Sequence, residues 1–165
     1  MHYLPPEHWS PRFDSVFFTA EIISWTSLST PPNEDSFQLL GQSGCNGLRE
    51  TFPAIYYTIE IRFGHERILL MRRFSQFYTF YKQIIQMNST QGNKDGTTED
   101  GTKIIAPKKL CPFSILTDEI LDTRLELLNN FLRDILRRPN MTLNPIVITF
   151  LALDQLETIH TNVVS

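Results

Sequence analysis

Cysteine is scarce in this chain of 165 residues: Cys45 and Cys111 are the only two. They allow at most one bridge, and a structural zinc site needs four ligands, usually in close pairs. Free thiols are therefore expected. The four histidines, His2, His8, His65 and His160, are dispersed and none stands at ligand spacing from another His or a Cys. No metal site and no cofactor are expected. Long apolar runs are missing too, since no stretch of hydrophobic residues exceeds four, Ile68 to Met71 being one of that length. A membrane-spanning helix needs roughly 20. Pro5, Pro6 and Glu7 interrupt the N-terminus, which has no basic start, so a cleaved signal peptide is not expected and a cytosolic compartment is. An excess of cations is also lacking: the formal net charge is -3, against a general nucleic-acid binder.

What the chain does have is a normal globular composition, 41% hydrophobic, enough for the core of one domain. Residues 16–156 are read as that domain, between an N-terminal tail, 1–15, and a C-terminal tail, 157–165. Val16 to Trp25 is aromatic and β-branched, with polar Thr19 and Glu21 two apart, and reads as a strand. Residues 26–53, rich in Ser, Thr, Pro and Gly, read as a long irregular connection. Tyr57, Ile59, Ile61 and Phe63 alternate with Thr58, Glu60 and Arg62 as in a half-buried strand. Gly64-His65-Glu66 then supplies a turn, and Arg67 to Phe74 returns as the second arm of a hairpin.

Ser75 is placed to cap a first helix, in which Phe77, Phe80, Tyr81 and Ile84 recur at helical spacing to about Met87. That spacing favours core packing over a base-stacking platform. Residues 88–103 hold three glycines and almost no apolar residue, and read as an exposed loop. Its Asn93-Lys94-Asp95-Gly96 fails as a calcium loop, because Gln91 and Thr102 stand where ligands are needed. Thr117, Asp118 and Glu119 open a long helix whose stripe, Leu121, Leu125, Leu128, Leu132, Ile135 and Leu136, ends before Pro139. A last helix is expected from Pro145 to about Leu156. The whole reads as an α+β fold, a three-stranded antiparallel sheet packed against a helical subdomain.

Three places could carry function. Arg72-Arg73-Phe74-Ser75-Gln76-Phe77 joins two cations, a ring and a hydroxyl at a strand-to-helix corner. A helix N-terminus offers unsatisfied N–H groups and partial positive charge, and Arg adds a planar fork of donors, so the corner suits a phosphate. Solvated strand-end arginines beside a core phenylalanine are the plainer alternative. Ile105 to Leu116 combines two prolines and two lysines with bulky apolar side chains, and is either a linker tucked onto the domain or a loop that dips into a lipid surface. Arg124, beside the long helix's apolar stripe, is either a snorkelling charge or a ligand on the buried side. No nucleophile, base and metal set is found, so an enzyme is not expected.

In this order, with Ala106-Pro107-Lys108-Lys109, Leu128 at +4 and Phe131-Leu132 at +7 and +8 from Arg124, and a closing Phe150-Leu151, the chain resembles the phox-homology (PX) domain family of sorting nexins and related proteins. The resemblance covers about 16–153. It implies a non-catalytic, peripheral module that binds phosphatidylinositol 3-phosphate on endosomal membranes. It assigns the 3-phosphate to Arg73, the inositol face to Phe74, a further phosphate contact to Ser75, the 1-phosphate to Lys108 with Lys109 as a substitute, and the inositol hydroxyls to Arg124. Leu110, Phe113, Ile115 and Leu116 match the membrane-inserting segment. Ala106 stands for a common proline, Gln76 for a common acidic residue, and the 26–53 connection is long. A PX-fold protein-interaction module with little lipid affinity, using that connection or the 88–103 loop for a protein partner, is the competing expectation.

Overall fold

The computed structural model describes residues 1–13, 16–29, 53–90, 104–107 and 116–155. Among the described residues, four strands form one sheet in the order β1 (His2–Tyr3), β2 (Phe17–Leu28), β3 (Ala54–Phe63) and β4 (Glu66–Arg73). Three of them make the expected antiparallel meander, whose alternation decides which side chains face inward. Phe18 opposes Phe63, Ala20 opposes Ile61 and Ile22 opposes Ile59, and all six are buried against the helices. A register shift between Ile22 and Ser24 leaves Ile23 as the extra residue of a bulge, turned to solvent. Phe63 pairs with Glu66, so Gly64 and His65 form the loop between β3 and β4. Gly64 has φ 55, where a side chain would be strained.

The fourth strand corrects the three-stranded expectation. His2–Tyr3, within the stretch read as a tail, runs parallel to β2, and the His2 and Leu4 N–H groups donate to Val16 O and Phe18 O at 2.7 and 2.8 Å. Two residues carry no periodicity, so only the long-range pairing reveals the strand. Further along this segment, the Arg62 guanidinium lies 5.2 Å from the Trp9 ring centroid. On the sheet face away from the core, Glu21 bridges Arg62 and Arg133 at 3.7 and 3.2 Å, and Glu60 pairs with Arg62 at 3.1 Å and with Arg67.

Helix α1 spans Phe74–Thr90, and α2 spans Asp118–Leu136. The start of α1 corrects the capping expectation: Ser75 lies inside the first turn, and Gln76 reaches back with Oε1 to accept the Arg73 N–H at 2.6 Å. This is the glutamine half of a capping box, in which the side chain of the third helical residue accepts the N–H of the residue that precedes the helix. Residues 91–103 of the expected loop lie outside the described residues, and α1 runs three residues past Met87. Thr117 caps α2 as expected, accepting from Ile120 N–H.

Helix α2 lies along β2 on the side where β1 has ended. The Asn129 amide accepts the Ile22 N–H at 2.7 Å and donates to the Ile22 carbonyl at 2.8 Å, satisfying backbone groups on the strand's edge. Asp122 accepts from Trp25 Nε1 at 2.8 Å, and Arg133 donates to Glu21. Positions 122, 129 and 133 share a helix face by their spacing, so one side of α2 grips one strand. After a 3-10 turn at Met141–Leu143, α3 covers Pro145–Phe150, shorter than expected because the chain turns at Leu151 and Ala152, the latter at φ 50. Phe150 stacks on Phe80 with centroids 4.1 Å apart and meets Phe77 edge-on at 5.1 Å. These rings tie α3 to α1 over the sheet.

Candidate functional site

Arg72 and Arg73 are adjacent on β4, so their side chains leave opposite faces of the sheet. Arg72 opposes Tyr57 and points inward, where only 5% of it is exposed. Its Nε donates to the Phe150 carbonyl at 3.1 Å and its Nη1 to the Met71 carbonyl at 3.1 Å, with the Phe150 ring centroid 5.8 Å from Cζ. Phe150 is the last residue of α3, so this guanidinium satisfies a helix C-terminal carbonyl and faces the negative end of the helix dipole. Arg72 is thus a structural cation.

Arg73 opposes Tyr56 and emerges half-buried on the other face, its Cζ 5.7 Å from the Tyr56 ring centroid. Tyr56 is itself buried, so the ring gives the guanidinium a fixed surface to rest on. Phe74 opens α1, and Ser75 follows it, exposed, with its carbonyl accepting from Thr79 Oγ1 at 3.0 Å. Arg124 reaches the same corner from α2. Its Cζ lies 5.0 Å from the Phe74 centroid, and the residue is 7% exposed, which removes the snorkelling reading. Beneath these groups, Tyr57 is fully buried. Burial pushes its hydroxyl above the ordinary tyrosine range, and the positive charge of Arg124 partly opposes that rise.

The described part of the proline-lysine loop supplies one anchor. Ile104 is buried in the core and Pro107 is buried too, whereas Ile105 between them is 71% exposed. Lys108, Lys109, Leu110, Phe113 and Ile115 lie outside the described residues. Leu116 is described and is 40% exposed just before α2. Of the residues expected to act together, Arg73, Phe74 and Ser75 follow one another at the start of α1, and the structure brings Arg124 against Phe74. Sequence reasoning passed over Tyr56 and Tyr57 as ordinary strand residues. The signal was two adjacent tyrosines facing two adjacent arginines in the hairpin, but the pairing Tyr56 with Arg73 and Tyr57 with Arg72 needs the register. Among the described residues, no group of three or more His, Cys, Asp or Glu could hold a metal ion, and no helix is long and apolar enough to cross a membrane.

A corner that presents two arginines on aromatic supports at a helix N-terminus can hold a phosphorylated, hydroxyl-rich ring. A family model for the PX domain matches residues 61–154, more than half of the chain, a span that contains Arg73, Phe74, Ser75 and Arg124. No curated protein matches. Of the 16 solved chains that do, one is the X-ray structure of a designed CISK-PX domain, 20% identical with a TM-score of 0.52 over 79% of this chain and 95% of that one. That likeness is one of fold.

Proposed function

The chain belongs to the PX domain family, whose members are in general non-enzymatic phosphoinositide-binding membrane modules, and from that premise we propose that it recognises phosphatidylinositol 3-phosphate and docks peripherally on endosomal membranes. One observation carries the reading. Of the two adjacent arginines, Arg72 is consumed by the core while Arg73 is delivered to the corner where Arg124 rests on Phe74. In this reading Arg73 takes the 3-phosphate, Phe74 lies against the inositol ring, Ser75 adds a phosphate contact and Arg124 binds ring hydroxyls. Lys108 takes the 1-phosphate, and Leu110, Phe113, Ile115 and Leu116 enter the lipid interface. Buried Pro107 holds the start of that loop to the domain, and exposed Leu116 stands at its end.

The magnitudes require both parts. Charge-assisted contacts of about 1.5 to 3 kcal/mol each from Arg73 and Lys108 total roughly 3 to 6 kcal/mol, a millimolar to tens-of-micromolar head-group site. About 1 kcal/mol for each cation near an anionic surface, with roughly 1.5 to 3 kcal/mol for each fully buried apolar side chain, brings membrane binding to micromolar or tighter. Binding is therefore expected to need vesicles and to weaken with salt. Co-sedimentation with vesicles carrying each phosphoinositide, at two salt concentrations and with Arg73→Ala alongside, tests the proposal. Selective, salt-sensitive binding that vanishes in the variant supports it; a folded chain that ignores every phosphoinositide refutes it.

A further inference from the structure

We infer that Gln76 is a positioning residue of the lipid corner, its neutral amide fixing the Arg73 backbone without placing a negative charge beside the phosphate that Arg73 receives. The inference rests on the head-group reading above and concerns a residue that acts through Arg73. Gln76 stands third in α1, and its Oε1 accepts the Arg73 N–H at 2.6 Å, where the last residue of β4 gives way to the helix. The other end of Arg73 is supported as well, with Cζ 5.7 Å from the ring centroid of Tyr56, which is 1% exposed. A side chain supported at both root and head meets a ligand with little ordering left to do.

Holding the backbone does not by itself call for an amide. Glutamate at this position accepts the same N–H, and its charge is favoured at the positive end of a helix, so folding alone gives glutamine no advantage. Helix α2 follows that rule and opens on Asp118 and Glu119, whereas the first turn of α1 carries no acidic side chain. The two turns differ in their company: the α1 turn is where Arg73 emerges and where Phe74 lies against the Arg124 guanidinium. A carboxylate bonded to the Arg73 N–H would offset part of the positive charge there and repel a bound phosphate. The amide makes the same bond and leaves that charge to the ligand.

The test compares Gln76→Glu and Gln76→Ala in the full chain by thermal melting, by hydrogen exchange of the Arg73 amide, and by titration with soluble inositol 1,3-bisphosphate at low and high salt. Gln76→Glu is expected to melt at or above the wild-type midpoint with the Arg73 amide still protected. It should nonetheless bind the head group about three- to tenfold more weakly at low salt, the deficit shrinking as salt rises. Gln76→Ala is expected to exchange faster at Arg73 and to lose affinity by a factor that salt changes little. Wild-type affinity in Gln76→Glu, or equal Arg73 protection in wild type and Gln76→Ala, would overturn the inference. So would a Gln76→Glu deficit that comes with a lowered midpoint and faster Arg73 exchange, since that is a structural loss alone. A wild-type chain that does not bind the head group refutes the lipid reading itself, and Arg73 exchange then decides whether Gln76 holds that backbone.

Discussion

Arg72→Ala and Arg73→Ala, one residue apart, are expected to fail in opposite ways. Arg72 makes two charge-assisted hydrogen bonds to backbone carbonyls, at 3.1 Å each, from a position 5% exposed. Each such bond is worth about 1.5 to 3 kcal/mol, and truncation also leaves the α3 carboxyl-terminal carbonyl without its donor and empties the space beside Phe150. Removing the buried charge recovers some desolvation, so the net loss is placed at about 3 to 5 kcal/mol. For a chain of this size each kcal/mol moves the thermal midpoint by about 2 to 4 °C, giving a drop of about 6 to 20 °C. Arg73, half-buried on Tyr56, is expected to cost under about 1 kcal/mol on truncation. Urea denaturation followed by circular dichroism measures both, and vesicle co-sedimentation separates them: Arg73→Ala should melt like wild type and lose lipid, whereas Arg72→Ala should lose stability first. Equal destabilisation by the two, or an Arg72→Ala protein as stable as wild type, would refute the assignment of inward and outward arginines.

Asn129→Ala removes both bonds to the Ile22 backbone and is expected to cost about 2 kcal/mol, measured as a lowered urea midpoint; a change within error would mean the strand edge is satisfied otherwise. Because the Tyr57 hydroxyl is held above its ordinary 10.0, chiefly by burial, its contribution to stability is complete below about pH 10 and lost as the pH rises through the folded-state value. Urea midpoints at about pH 9 and about pH 11 should therefore fall less steeply in Tyr57→Phe than in wild type, and identical slopes would contradict the burial argument. Phe113→Ser is expected to shorten residence on vesicles while sparing soluble head-group binding, seen as faster dissociation in surface plasmon resonance; equal loss of both would place Phe113 in the core.

The hairpin, the two long helices and the order of basic corner and Arg124-bearing helix were legible because each rests on local pattern. Alternation in 57–63 exposes a strand, Thr117 with Asp118 and Glu119 opens a helix, and Gly64 marks a turn, all within a few residues. Gln76 was read as a departure from a common acidic residue, when in the structure its amide caps the very corner that carries Arg73. That role was within reach of sequence, since a glutamine at the third helical position is half of a capping box; placing the start at Ser75 instead of Phe74 hid it.

The amino-acid sequence by itself determined which segments become strands and helices and which cations sit near a helix start, because those depend on periodicity and caps over short stretches. Tertiary structure alone decided which arginine is consumed by the core, where a two-residue strand attaches, and that Arg124 is buried against Phe74. The deciding partners are far apart in the chain: Arg72 meets the Phe150 carbonyl 78 residues on, and Asn129 meets Ile22 across 107. Register and helix docking set those meetings, and they arise from burying one shared core, which no local window of residues can display.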